Sequence, residues 1–380
     1  MAIAGLCNFL NLYTPQSILP TLADAFGVPG GRTGLTITAP LVAVVAPFVG
    51  TISDMVGRKR LIVSALSVLV VPTLLTAAAQ SLPAMLLWRF IQGLLLPFIF
   101  AVAIGYIGDE CPGAAGVRAA GNYALGTIFG GFAGRFIAGI AAEIAGWRPA
   151  FLLIAVLTAL GAAFVAVVLP RELNFYPLRG GFRGTLGAYA GHLLNVRLLA
   201  TFAIGFGMLF CNVAAFTFVN FYLAAPPFSL TPAQLGFVFV VYLLGMVTTP
   251  VSSRLVLRIG RRATIALAIL LAIVGLALTL VQALAAVIGG LAIMCGGLFV
   301  VQTLSLGDIA ATVRKAVSTA VGLYVTTFYI GGALGGVAPA AVWQRAGWPG
   351  VVALLIALLA GMLALALLFW QENAAKEKSR

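Results

Sequence analysis

Gly50-Thr51-Ile52-Ser53-Asp54-Met55-Val56-Gly57-Arg58-Lys59-Arg60 is a tight charged turn between two long apolar runs, in a chain where charge is otherwise scarce. Gly50 lets another helix approach closely, Asp54 puts an acceptor carboxylate at the end of a span, and Gly57 frees the backbone to turn before the next helix. Arg58, Lys59 and Arg60 then sit at the lipid headgroups and hold the loop on the cytoplasmic side. Any short cytoplasmic loop carries such bases, and for Lys59 and Arg60 alone that plainer account serves equally well.

Composition sets the class. Of 380 residues 62% are apolar and 8% charged, with 44 glycines, and the mean hydropathy is +1.13. Apolar runs long enough to cross a bilayer recur along the chain, so this is an all-α polytopic membrane protein. A net charge of +13 could speak for nucleic acid, yet the bases lie in short clusters between apolar runs, without interleaved aromatics. They read as topology signals, and nucleic acid is excluded as a partner. Cys7, Cys111, Cys211 and Cys295 are dispersed without ligand spacing, so no metal, cofactor or disulfide framework is expected. A membrane-embedded enzyme would gather acids, histidines or a nucleophile with its base at one membrane face. Here the loops are short and the single histidine, His192, stands isolated in one of them, the setting of a solvated residue.

The first apolar run covers about 1–22. No basic leader precedes it, so it reads as a retained span; the missing polar leader is what a late start site or a trimmed chain would leave. Asn8, Asn11 and Pro15 share one helical face, while Tyr13 and Gln16 lie on another. That density of polar groups points to a cavity lining, with interhelical glue as the alternative. After an outer loop with Asp24 and Arg32, a second span runs to about 56, a third covers about 60–79 and a fourth about 83–107. In the fourth, Arg89, Gln92 and Gly93 share a face at i, i+3 and i+4. An arginine inside a span costs at least about 3 kcal/mol, so Arg89 either faces the protein interior or water as a functional group, or snorkels to nearby headgroups.

The fifth span, about 118–142, carries Asn122, Gly126, Gly130 and Gly134 in one stripe on which helix backbones can touch. Arg135 follows, as a solute contact or as a partner for outer-side groups such as Glu143. The sixth span ends near 170, and a linker of about 25 residues, 171–195, leads to six more runs near 197–222, 233–256, 263–282, 285–307, 316–341 and 349–370. A polar tail, 371–380, closes the chain.

The halves repeat. Gly121-x-Tyr123, Gly130-Gly131, Gly134 and Gly146-Trp147 recur as Gly322-x-Tyr324, Gly331-Gly332, Gly335 and Gly347-Trp348, each at an offset of 201. Gly57-Arg58-Lys59 recurs as Gly260-Arg261-Arg262 at 203, and Gly108-Asp109 as Gly307-Asp308 at 199. The repeat unit is therefore six spans, giving bundles at 1–170 and 196–370 around a central cavity. Asp54 corresponds to Leu257, so only the first half keeps the carboxylate. A gate built from Gly50, Asp54, Gly57, Arg58, Lys59 and Arg60 is expected to latch onto the helix around Gly331 to Gly336. With the amino terminus inside, 17 bases fall on the cytoplasmic side against three outside, Arg32, Arg148 and Arg345, the other two of the 22 lying within spans. Both termini are then cytoplasmic.

The 50–60 stretch resembles the loop that joins the second and third spans in the major facilitator superfamily, and with the repeat the resemblance covers essentially the whole chain. Arg89-x-x-Gln92-Gly93 and the fifth-span glycines are similar to elements of its twelve-span drug:proton antiporters. Three departures stand out: Leu95, Leu96 and Pro97 replace small residues, Gly131 replaces a proline, and Arg135 replaces the last glycine. The resemblance implies twelve transmembrane helices in two parallel-repeat six-helix bundles that rock about a midplane site in a bacterial inner membrane. It implies secondary active efflux of a small solute by proton antiport, the alternative being a uniporter or importer of the same fold without coupling. Partners would be a small-molecule solute, membrane lipid and, if coupled, protons, with the chain acting as a monomer.

Candidate cavity groups are Asn8, Asn11, Tyr13, Gln16, Arg89, Gln92, Asn122, Tyr123, Arg135, Asn212, Asn220, Tyr242, Gln302, Tyr324 and Tyr329, each of which could instead be buried glue. Two positive charges within spans and no carboxylate at mid-span favour a neutral or anionic solute. All nine acids fall near a membrane face. Asp24 and Glu143 at the outer mouth are then the proton-coupling candidates, with Arg135 close enough in sequence to tune Glu143.

Overall fold

The computed structural model describes residues 1–42, 57–111, 113–172, 192–313 and 317–370. Every regular element among them is a helix. The first segment is α1 (Ala2–Tyr13), a 3₁₀ turn (Thr14–Ile18) and α2 (Leu19–Phe26), followed by α3 (Gly30–Thr33) and α4 (Leu35–Leu41). Next come α5 (Arg58–Ala77), α6 (Leu82–Glu110), α7 (Ala114–Ala145), α8 (Trp147–Val168) and α9 (Val196–Ala224). The remainder is α10 (Pro232–Val238), a second 3₁₀ turn (Phe239–Leu244), α11 (Gly245–Ile259), α12 (Arg261–Leu278), α13 (Leu284–Thr312), α14 (Val317–Gly335) and α15 (Ala340–Phe369).

Among the described residues eight helices, α5 to α9 with α12, α13 and α15, are long and apolar enough to cross a membrane, and α10 with α11 adds a ninth if that bent pair is one span. The first expected span is interrupted, and the second is described only as far as residue 42. Pro15 lies in the 3₁₀ turn that splits the first span, and Pro40 lies inside α4. Each lacks the N–H that would continue the helix ladder. Two boundaries differ from expectation: α14 stops at Gly335, and the last helix starts at Ala340 and kinks at Gly347, where φ is 56°. Hydropathy carries across both breaks, so the apolar run concealed them.

The chain forms two compact units. The first is Met1–Gly180 with Phe216–Leu243 and Ala333–Gly347; the second is Gly181–Ala215 with Leu244–Gly332 and Trp348–Arg380. In the first, the glycine stripe of α7 faces backbone. A Cβ on Gly126, Gly130 or Gly134 would collide with the carbonyl of Ala2, Leu6 or Leu10 in turn. Helix α1 therefore lies directly on α7, as small residues at four-residue spacing allow.

Equivalent positions of the repeat make equivalent contacts, each inside its own unit. A Cβ on Gly5 would meet the Tyr123 ring, and one on Gly205 the Tyr324 ring. Gly57 and Gly260 both turn at positive φ, 97° and 82°, as do Gly146 and Gly347 at 88° and 56°. Arg58 pairs with Asp109 at 2.6 Å, and Arg261 approaches Asp308 at 3.3 Å.

The carboxylates differ in depth. Asp308 is fully buried and also takes Arg197 at 2.5 Å and the Thr201 hydroxyl at 2.9 Å. The Asp109 side chain is 38% exposed. Removing one partner of a buried ion pair costs about 3–5 kcal/mol, against about 0–1 kcal/mol for an exposed pair. Asp308→Ala is expected to lower the melting temperature of the detergent-solubilised protein far more than Asp109→Ala, and equal shifts would contradict this assignment.

Candidate functional site

Two polar clusters sit in the first unit. Arg89 is completely buried. Its Nε donates to the Thr36 carbonyl at 2.9 Å, Nη1 to the Asn11 carbonyl at 2.8 Å and to Gln92 Oε1 at 2.5 Å, and Nη2 to the Leu12 carbonyl at 2.5 Å. Two of these oxygens have a common origin. In an unbroken helix the Asn11 carbonyl would accept from residue 15 and the Thr36 carbonyl from residue 40, and both are prolines. Arg89 supplies the two hydrogen bonds that Pro15 and Pro40 remove. Gln92 Nε2 donates to Thr73 Oγ1 at 2.9 Å, Thr73 donates to Asn11 Oδ1 at 2.8 Å, and Asn11 Nδ2 donates to Thr158 Oγ1 at 2.7 Å. Here Asn11, Arg89 and Gln92 hold a broken helix in shape.

The second cluster surrounds Arg135, also completely buried. Its Nε and Nη2 both donate to Gln16 Oε1, at 2.8 and 2.6 Å, and Nη1 donates to the Gly131 carbonyl at 2.6 Å. Three rings surround the guanidinium, with its central carbon 4.0 Å from the Tyr13 centroid, 4.3 Å from Tyr242 and 4.6 Å from Phe239. Such contacts strengthen once water is excluded. Phe216 backs Tyr242 at a centroid distance of 4.7 Å.

The 3₁₀ turn ties this cluster to two helices. Ser17 Oγ donates to the Arg135 carbonyl at 2.6 Å, Asn220 Nδ2 donates to the Gln16 carbonyl at 2.9 Å, and Gln16 Nε2 reaches Thr217 Oγ1 at 3.4 Å. A turn that leaves helical geometry can aim both its side chains and its carbonyls sideways, which an intact helix cannot.

A profile of the Major Facilitator Superfamily matches residues 1–225 and again 205–380. The chain belongs to the Major Facilitator Superfamily. Among bacterial relatives, the MFS-type transporter YybF of Bacillus subtilis is 30% identical over 360 residues, covering 94% of this chain and 89% of that one. The inner membrane transport protein YnfM of Escherichia coli is 28% identical over 365 residues, covering 94% and 88%. Solved structures share the fold at low identity. The nucleoside transporter NupG superposes with a TM-score of 0.77 at 16% identity, covering 97% of this chain and 99% of that one. The POT family transporter PepTSo gives 0.78 at 15%, covering 97% and 95%. The protein is thus a multi-pass membrane transporter of the superfamily, acting on a small-molecule solute.

The other candidates are scattered. Asn8 is 1% exposed, and its Oδ1 has no hydrogen-bond partner among the described residues. Tyr123 is buried and donates to the Phe100 carbonyl at 3.3 Å, while Asn122 is exposed. Asn212 and Tyr324 are buried, and Gln302 and Tyr329 half-buried, all within the second unit. Asp24 and Glu143 are exposed. Glu143 Oε2 accepts from the Ala233 N–H at 2.9 Å, so the carboxylate expected beside Arg135 serves the start of α10.

Of the superfamily loop, Gly50 and Asp54 lie outside the described residues. Arg58 pairs with Asp109 as above, the Lys59 N–H donates to Glu172 Oε2 at 3.4 Å, Lys59 Nζ donates to the Leu169 carbonyl, and Arg60 is exposed. Thr38 Oγ1 donates to the Ala333 carbonyl at 2.6 Å, and a Cβ on Gly34 would collide with the Gly336 carbonyl. That end of α14 thus meets α3 and α4, and the expected latch from Asp54 lies outside the described residues. Sequence reasoning also missed Thr217 and Phe239. Thr217 stands at Gln16 plus 201, so the repeat offset pointed to it; Phe239 in an apolar run carried no such signal.

Each buried carbonyl left without a donor costs about 1–3 kcal/mol. Arg89→Ala should therefore destabilise the solubilised protein strongly, and Arg89→Lys should restore only part, since an ammonium lacks the planar fork. An Arg89→Ala protein that melts at the wild-type temperature would refute the proline-compensating role.

Proposed function

We propose that the protein exports a neutral or anionic small solute across the bacterial inner membrane by alternating access. On this reading the six-helix halves 1–170 and 196–370 rock about a midplane site, the linker 171–195 and both termini are cytoplasmic, and the transporter works as a monomer. The observation that carries the charge preference is the fully buried Arg135, bonded to Gln16, ringed by Tyr13, Tyr242 and Phe239, and joined through the Gln16 carbonyl to Asn220. A cation entering such a low-dielectric site meets fixed positive charge. The 17-to-3 distribution of bases supports the orientation. Efflux rests on the likeness of the fourth and fifth spans to the drug:proton antiporters.

Coupling to protons is the finer part of the proposal. Asp24 and Glu143 are its candidate carriers, and both are exposed. That exposure favours the second reading, a uniporter or importer without coupling, because a coupling carboxyl is ordinarily shielded within a span.

Solute-induced proton flux in proteoliposomes decides between the two. Antiport through these groups predicts stoichiometric flux that is lost in Asp24→Asn or Glu143→Gln. Solute movement with no proton flux supports the uncoupled carrier, and flux surviving both substitutions places the coupling group elsewhere. Asp54→Asn is expected to abolish transport with folding and insertion nearly unchanged, and wild-type rates in that variant would remove Asp54 from the gate.

A further inference from the structure

Gln16 and Arg135 hold each other in an unequal way. The Nε and Nη2 groups form the edge of the guanidinium that donates two parallel hydrogen bonds, a fork whose natural match is a carboxylate with one oxygen for each N–H. Both donors here converge on the single oxygen Gln16 Oε1, at 2.8 and 2.6 Å. One neutral oxygen thus stands where two charged ones would fit. The same amide spends its nitrogen on Thr217 Oγ1 at 3.4 Å, the long end of hydrogen bonding. The guanidinium itself cannot turn away: Nη1 is fixed on the Gly131 carbonyl at 2.6 Å, and the Tyr13, Tyr242 and Phe239 rings surround it. A rigid fork is therefore held by a single neutral oxygen, on a side chain whose bond to Thr217 is long.

We infer that Arg135 is the binding site for the carboxylate of an apolar or aromatic organic acid, and that the Gln16 side chain occupies the carboxylate position until such a solute arrives. This rests on the proposed carrier function and sharpens its solute class. A carboxylate in place of Gln16 Oε1 gives each N–H its own charged acceptor in the bidentate geometry, which one neutral oxygen shared by both donors does not offer. The surrounding Tyr13, Phe216, Phe239 and Tyr242 suit an apolar body behind the headgroup.

Displacement of Gln16 has a second effect. Its Nε2 leaves Thr217 when Oε1 leaves Arg135, so the arriving anion removes one of the ties between the 14–18 turn and α9. The tie from Asn220 to the Gln16 backbone carbonyl stays in place. Binding at Arg135 thereby loosens a contact that alternating access would have to break.

The test measures binding and needs no transport. Purified full-length protein is titrated with benzoate and 4-phenylbutyrate, and with their uncharged amides, following thermal stabilisation. The carboxylates are expected to stabilise saturably and the amides not. Arg135→Gln should weaken carboxylate binding by about tenfold or more, and Gln16→Ala, which removes the competing oxygen, should tighten it by about tenfold. Equal stabilisation by the amides, no stabilisation by either carboxylate, or a Gln16→Ala protein with unchanged carboxylate affinity would each overturn the inference. If Arg135→Gln does not fold, the Gln16→Ala comparison decides alone. Because no flux is measured, failure of the export reading in proteoliposomes leaves this result standing, and the reverse also holds.

Discussion

A proline inside a membrane helix strands a carbonyl where no water can reach it. Each such group costs several kcal/mol in hydrocarbon unless the protein supplies a donor. Pro15 and Pro40 strand the Asn11 and Thr36 carbonyls, and Arg89 answers both while also binding Leu12. The arginine gains in return: four of its five N–H groups find oxygen acceptors, so its own burial is compensated. With that exchange in place the first helix can stay broken at Thr14–Ile18. From the break Gln16 and Ser17 reach the side chain and carbonyl of Arg135. The Arg135 cluster therefore depends on geometry that Arg89 maintains from a different helix.

Much of this could be read from the chain because rare residues are conspicuous in spans. Arg89, Gln92, Arg135 and Gln16 stand out against an apolar background, and all four are buried in hydrogen-bonded clusters. Their partners were not legible. Three of the four acceptors of Arg89 are main-chain oxygens, which have no letter in a sequence, and two of these, at Asn11 and Thr36, become available because prolines stand four residues further on. Sequence distance misled in the opposite way for Glu143, eight residues from Arg135 yet bonded to the Ala233 amide. The breaks at Thr14 and Gly347 were hidden because hydropathy sums over a window and is blind to backbone angle.

The repeat was legible for a different reason. A glycine at a positive φ or under a neighbouring carbonyl tolerates no replacement, so Gly130 beneath Leu6 and Gly331 beneath Phe206 leave the same letter at a constant offset. Charged pairs preserve less. Asp109 and Asp308 occupy matching places with matching arginines, yet one is partly open and the other is sealed beneath Arg197, Arg261 and Thr201. Trp370 Nε1 donates to the same Thr201 hydroxyl at 3.1 Å, joining the end of α15 to that carboxylate's neighbours. Two copies that share a letter have thus taken different electrostatic environments.

The buried charges also differ from their partners in birth order. Chains are made from the amino terminus, and early segments enter the bilayer while later ones are still being synthesised. Arg89 draws on Asn11, Leu12, Thr36 and its near neighbour Gln92. Asp308 draws on Arg197, Thr201 and Arg261, and Arg135 takes Gln16 and Gly131. With the single exception of Gln92, three residues downstream in the same helix, each of these hydrogen-bonding and ion-pair partners precedes the charge it compensates. A nascent span carrying one of these groups meets its counterparts already in the membrane, which spares it a wait in lipid as a lone ion.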